Sequence, residues 1–159
     1  MNSTSQDASS EFVSFCAPLI GLHVSRVWQG HGSAIFLEFG KVQPQQRRDG
    51  SPGNPRGEWT LMIEWSWRIE GKRRIWCGSW SEETRWPRTF TRLEGATVLS
   101  LALSGRLPEV VLTLSNGLHL LSMMTAEGDP AWALTKTEGV AVYVRAGQLC
   151  FAQSSSSGE

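Results

Sequence analysis

Net charge is what this sequence most plainly lacks: fifteen Lys and Arg are cancelled by fifteen Asp and Glu over 159 residues. No global field then draws the chain to nucleic acid or to an anionic membrane, so neither is expected as a partner. Long apolar runs are missing too, and none approaches the roughly eighteen residues of a membrane span. The polar start MNSTSQDASSE has neither the basic opening nor the apolar core of a secretion signal, and a cytoplasmic location is the expectation. Cysteine is scarce. Cys16, Cys77 and Cys150 are odd in number, widely spaced and without a CxxC, which argues against a disulfide framework or a thiolate metal site and for reduced thiols in or near a core. His23, His31 and His119 are too scattered to propose as metal ligands. No P-loop, GxGxxG, GxSxG or HExxH pattern occurs, so nothing points to an NTPase, a dinucleotide enzyme, a serine hydrolase or a zincin. The expectation is a protein that is not an enzyme and needs no cofactor or metal.

Tryptophan, by contrast, is plentiful, and five of the eight fall in Glu58–Trp80, EWTLMIEWSWRIEGKRRIWCGSW. Trp59, Leu61, Ile63, Trp65, Trp67 and Ile69 alternate with Thr60, Met62, Glu64, Ser66 and Arg68. Period two predicts a single strand over 58–69 with one face buried. Gly71 and Lys72 predict a two-residue turn, which sets Glu70 opposite Arg73, Trp67 opposite Trp76 and Ile63 opposite Trp80. On this reading Trp59, Trp65 and Trp67 build the core, and Trp76 and Trp80 follow them inward.

Along the chain, residues 1–10 and the tail Gln153–Glu159 are too polar to offset their ordering entropy and are expected to be mobile, leaving 11–152 as one β domain. Glu11–Ile20 is interrupted by Pro18 and its structure stays open. Strands are predicted at 22–29 and 33–39 around the turn Gly30-His31-Gly32. Residues 41–57, with three prolines and three glycines, read as a long solvated loop of loose order. Pro87 opens and Gly95 closes a short helical turn. Further strands follow at 96–103, 109–115, 118–125, 131–135, 140–145 and 148–151, with Asn116-Gly117 a strong hairpin signal. This pattern predicts a mainly β fold, a sandwich or partly closed barrel.

Two stretches share a plan. Ile20-Gly21-x-x-Val24-x-x-Val27 precedes Ile35–Gly40 and Leu61–Ile63, and Leu93-x-Gly95-x-x-Val98-x-x-Leu101 precedes Val110–Leu114 and Leu118–Leu121. The spacing predicts two repeated β-meander units, about 20–80 with 41–57 inserted and about 93–152. The Gly-x-x-Val strand at Gly21–Val24 and Gly95–Val98, the apolar strand ending in Gly at Leu37–Gly40 and Leu112–Gly117, Leu61–Glu64, and Pro130-Ala131-Trp132-Ala133-Leu134 resemble a bacterial group of small, duplicated β proteins. That group has no assigned activity, and its members are often encoded beside toxin or contact-competition genes, so the resemblance implies at most an immunity-type role. The Trp-rich hairpin and its end Gly78–Ser81 depart from the sparser pattern of the group.

For function, Trp86 stands between Arg85, Pro87 and Arg88 in an irregular segment and is the indole expected to be exposed. Exposed Trp beside Arg is a common anchor at protein interfaces, so Trp86, Arg85, Arg88 and the hairpin tip at Arg73 and Arg74 form the expected surface for a partner protein. Lys72 and Arg92 extend the patch, with Glu70, Glu82 and Glu83 among them. The alternative is a small-ligand site between the repeats built on His31, Glu38 and Glu64. There the two glutamates, both expected on outer strand faces, would be neighbours if their strands pair.

Overall fold

The computed structural model describes residues 3–153, and among them eleven strands and two helices. The strands are β1 (Val24–Gln29), β2 (Ile35–Phe39), β3 (Trp59–Ile63), β4 (Trp67–Glu70), β5 (Ile75–Gly78), β6 (Val98–Ser104), β7 (Glu109–Leu114), β8 (His119–Ser122), β9 (Trp132–Lys136), β10 (Val140–Arg145) and β11 (Gln148–Gln153). The helices are α1 (Ser3–Cys16) and α2 (Trp86–Leu93). One sheet runs β1-β2-β3-β9-β10-β11 and the other β5-β4-β8-β7-β6, all neighbours antiparallel and neither sheet closed into a barrel. No helix among the described residues is long and apolar enough to cross a membrane.

Alternation fixes the register, because a slip by one residue would turn each apolar row to solvent. Val27, Leu37, Leu61, Leu134 and Val142 lie side by side across the first sheet. Leu101, Leu112, Leu120, Ile69 and Cys77 do the same across the second. Both rows are buried and belong to one continuous core. Each large aliphatic side chain so placed contributes about 1.5–3 kcal/mol. At one side the sheets touch backbone to backbone: Gly21 N–H donates to Val98 O at 2.9 Å, Gly95 N–H to Val24 O at 2.7 Å, Val24 N–H to Ala96 O and Val98 N–H to Leu22 O, both at 2.8 Å.

The predicted long strand over 58–69 is two strands in different sheets. β3 and β4 both point their odd residues into the core, so alternation survives the crossing at 64–66 and hides it from a reading by period. The crossing is held by Ser33 Oγ donating to Trp65 O at 2.8 Å, and by Glu64 N–H to Ala131 O and Met123 N–H to Ser66 O, both at 3.0 Å. Trp65 at its centre is only half-buried.

The turn after β4 also differs. Gly71 N–H donates to Arg74 O at 2.9 Å, so the turn encloses Lys72 and Arg73, and the pairs are Glu70 with Ile75, Ile69 with Cys77 and Arg68 with Gly78. With a bulge between Ile69 and Glu70, this register sets buried Ile69 against buried Cys77, where the expected turn on Gly71-Lys72 would set it against the Arg74 charge. The expected pairs Trp67–Trp76 and Ile63–Trp80 do not form.

Residues 3–10, expected to be mobile, lie in α1. The helix docks through Phe12, Cys16 and, in the turn beyond it, Leu19, all buried. Phe12 packs edge-on to Trp132 at 6.1 Å, and Phe15 to Trp59 at 5.3 Å and Phe151 at 6.1 Å. Pro18 sits in a 3₁₀ turn, Ala17–Leu19, after the helix and so interrupts nothing. The tail beyond Gln153 lies outside the described residues. The 41–57 segment, expected to be loose, folds back on itself, with Gln43 bridged to Arg56 and Gln46 to Pro52.

Burial pushes the Cys16 thiol up to about 12 from 9.0. The folded state therefore holds this proton where the unfolded chain has released it, and the stability is fully present below about pH 9 and lost as pH rises toward 12. Urea unfolding midpoints are expected to fall above pH 9 in the native sequence, and more shallowly in Cys16→Ala.

Candidate functional site

The face of interest is assembled by α2 and the β4-β5 hairpin. Pro87 opens the helix in the first turn, where its missing N–H costs nothing. Trp86, Phe90 and Leu93, four and three residues apart, make a buried stripe, which leaves Arg85, Arg88 and Arg92 on the opposite face, all exposed.

That helical spacing overturns the expected anchor. Trp86 is 2% exposed, packs at a tilt against Trp67 at 5.3 Å and donates its indole N–H to Gly78 O at 3.1 Å. Trp67 in turn meets Phe90 at 6.0 Å and donates to Ser33 O at 2.6 Å. Trp86 is thus a core residue.

Trp80, expected to face inward, instead takes the exposed position expected for Trp86. Its side chain is 88% exposed, the most open of the large apolar residues among those described. The turn that carries it is nevertheless pinned. Ser79 N–H donates to Trp67 O at 2.9 Å and Ser81 N–H to Gly78 O at 3.0 Å. Ser79 Oγ accepts from Trp67 N–H at 3.2 Å, and Ser81 Oγ from Gly78 N–H at 2.9 Å. An indole standing in water on a rigid support contributes nothing to the fold and carries a large apolar area for another surface. The serines on both sides of Trp80 were the signal in the sequence, obscured by the two-residue turn.

Between the β4-β5 hairpin and α2 lies a groove of about 430 Å³ lined by Arg74, Trp76, Thr84, Arg85, Arg88, Thr89 and Arg92. Trp76 is half-buried, and the guanidinium carbons of Arg74 and Arg92 lie 4.3 and 4.2 Å from its ring centre. Gly71 permits this, since a Cβ there would stand 2.6 Å from the Trp76 indole nitrogen. Among the described residues the side-chain ion pairs are Arg68–Glu70 at 2.9 Å and Arg145–Asp129 at 2.5 Å, and none of the groove arginines is in either. The Arg68 pair is a close approach rather than a directed hydrogen bond, because Arg68 Nε finds no aligned acceptor. Of the expected surface, Arg74, Arg85 and Arg88 come together here. Arg73 is exposed at the hairpin tip outside the groove lining, and Trp76 and Arg92 are additions that only the tertiary pairing reveals.

The residues of the alternative site do not converge. Glu38 is fully buried, not on an open outer face, and accepts from Trp28 Nε1 at 3.2 Å, Gly57 N–H at 3.0 Å and Thr60 Oγ at 2.5 Å. The folded-back 41–57 segment and the Trp28 indole, stacked on Phe36 at 4.1 Å, cover it. Its cross-strand partner is Thr60, so Glu64 lies four residues, about 13 Å, further along. Glu64 and His31 are both exposed.

Comparison with family models, with curated proteins and with solved structures finds no match to this chain.

Proposed function

We propose that this chain is a non-enzymatic protein-binding module made of two copies of one helix-and-strands plan, with its binding surface on only one of the two corresponding faces, where α2 of the second copy meets the β4-β5 hairpin of the first. Supporting the duplication, Phe12 and Trp86, Cys16 and Phe90, Leu19 and Leu93, Gly21 and Gly95, Val24 and Val98, and Val27 and Leu101 are pairs at one constant separation, and all but the glycines are buried. Gly21 and Gly95 share a positive φ, 92° and 86°, at the exit from each helical segment. Both following strands slip register at the same place, Val24/Arg26 and Val98/Ser100. The hydrogen bonds of the β1–β6 contact are mutual images under this correspondence. Beyond loops of different length the separation changes, and there Trp67 Nε1 to Ser33 O corresponds to Trp132 Nε1 to Pro108 O, at 2.6 and 3.0 Å. Each copy lends its fourth and fifth strands to the other's sheet: β4-β5 pair beside β8, and β9-β10 beside β3. β11 has no counterpart.

The correspondence separates what the fold needs from what it does not. The buried positions match across the copies, while Arg85, Arg88 and Arg92 correspond to Glu11, Ser14 and Pro18, Trp76 to Ala141, and Trp80 to Arg145. An arginine row and an open indole laid on a scaffold whose corresponding face does without them are best accounted for by a partner. The observation that carries the reading is Trp80, 88% exposed on a hydrogen-bonded turn. Interface anchors of this kind, Trp and Arg on rigid supports, supply most of the binding energy in protein complexes. A role as an immunity or accessory factor fits a module of this sort.

The test is capture of partners from an extract of the native host by the intact protein and by Trp80→Ala. Loss of a specific partner at a melting temperature unchanged within a few degrees is the expected result. Undiminished capture would count against this surface.

A further inference from the structure

We propose that the arginine groove receives the carboxylates of an extended acidic segment of the partner protein. This rests on the binding reading above and names the chemistry of the partner. Arg85, Arg88 and Arg92 form a row along one helix face, spanning about 10 Å at 1.5 Å per residue. A converging cluster would suit a single phosphate; a row suits a chain. In an extended segment, alternate side chains fall about 7 Å apart on one side, so two successive carboxylates on that side match the span of the row. Arg74 and Arg92 are held against Trp76, and stacking on the flat of the guanidinium leaves its N–H edge available for the two oxygens of a carboxylate. Two like charges on one indole also favour an anion between or beside them.

The protein's own carboxylates do not fill this role. Glu70 is paired with Arg68, and Glu94 accepts from Val27 N–H at 3.1 Å on the other side of α2. Glu83 lines a separate pocket between α2 and β1, with Val27, Trp86 and Phe90. Glu82 is exposed in the segment ahead of the helix. Thr84 and Thr89 complete the lining, and Thr89 Oγ already donates to Arg85 O at 3.2 Å. The positive charge of the groove is therefore left for a ligand from outside the chain.

Fluorescence anisotropy of a dye-labelled hexaglutamate peptide with the full chain tests this, at low and at physiological salt, with hexalysine and pyrophosphate as the other arms. Hexaglutamate is expected to bind, to weaken as salt rises, and to lose about tenfold or more in affinity in Arg88→Ala/Arg92→Ala. Arg88→Glu, a single change at an exposed position, is expected to weaken it likewise, so a folding defect in the double variant does not decide the matter. Arg48→Ala, at an exposed arginine of the 41–57 segment outside the groove, should leave hexaglutamate binding unchanged, and hexalysine should not bind. The proposal is overturned by absence of hexaglutamate binding at low salt, by equal binding to the arginine variants, or by pyrophosphate displacing the peptide at lower concentration than unlabelled peptide does. Failure here with Trp80-dependent partner capture intact removes the acidic segment and keeps the binding reading. Arginine-dependent peptide binding with capture indifferent to Trp80 does the reverse.

Discussion

Replacing Trp67 by alanine is expected to cost about 3–5 kcal/mol and to lower the melting temperature by about 10 °C. The side chain is 1% exposed and touches both Trp86 and Phe90, so α2 cannot collapse into the space without losing its own packing. The loss goes beyond volume. Trp67 Nε1 donates to Ser33 O, and Ser33 Oγ donates to Trp65 O, so the indole ties the β1-β2 hairpin turn to the crossing between sheets. Trp67→Phe separates these contributions. It keeps most of the apolar contact but strands a carbonyl, for a smaller loss of about 1–3 kcal/mol. Urea unfolding followed by far-UV circular dichroism measures both, and near-equal losses would mean that the hydrogen bond, not the cavity, dominates.

Glu38→Leu should be comparably severe, at about 3–5 kcal/mol, though leucine is close in size and apolar. The carboxylate is wholly buried and accepts from three donors, the Trp28 indole, the Gly57 amide and the Thr60 hydroxyl. Removing it leaves all three unsatisfied at once, which is the costly direction of the hydrogen-bond exchange. Gly57 closes the 41–57 arm, and its lack of a side chain lets it lie against β2, since a Cβ there would meet Phe39 O at 2.5 Å. Hydrogen exchange at the Gly57 amide should therefore quicken in Glu38→Leu far more than exchange in β7 or β8. Uniform quickening would mean that Glu38 stabilises the whole fold rather than anchoring the arm.

The strands were legible in the sequence where period two was the whole story. β1, β2, β6, β7, β9, β10 and β11 fall within a few residues of their predicted positions, and α2 follows from Pro87 and the stripe it opens. What local pattern does not encode is which sheet a strand joins. β3 and β4 carry one unbroken alternation yet separate at Glu64–Ser66, and the pairings β3–β9 and β8–β4 are remote in sequence. A misjudged turn and an unseen bulge then propagated: the turn moves the register by two residues, which keeps the same face inward, and the bulge between Ile69 and Glu70 adds one more, so that Cys77 turns inward in place of Trp76 and Trp80 stands in solvent. Helical spacing read as irregular did the opposite for Trp86. The functional expectation, an exposed indole among arginines, kept its arginines at positions 74, 85 and 88 and exchanged its tryptophan. Glu38 was placed on the outer side of its strand by alternation; that the outer side is itself covered depends on Trp28 and the folded arm, which no periodicity reports.

The central claim is a division of labour among tryptophans, those at 67, 86 and 132 holding the fold and the one at 80 held out for a partner. Urea unfolding of the four alanine variants side by side puts it to the test. The account predicts losses of about 3–5 kcal/mol at each of the three buried positions and a change within about 0.5 kcal/mol for Trp80→Ala. A loss at Trp80 as large as at Trp67 would contradict it, since the indole would then be serving the protein's own interior.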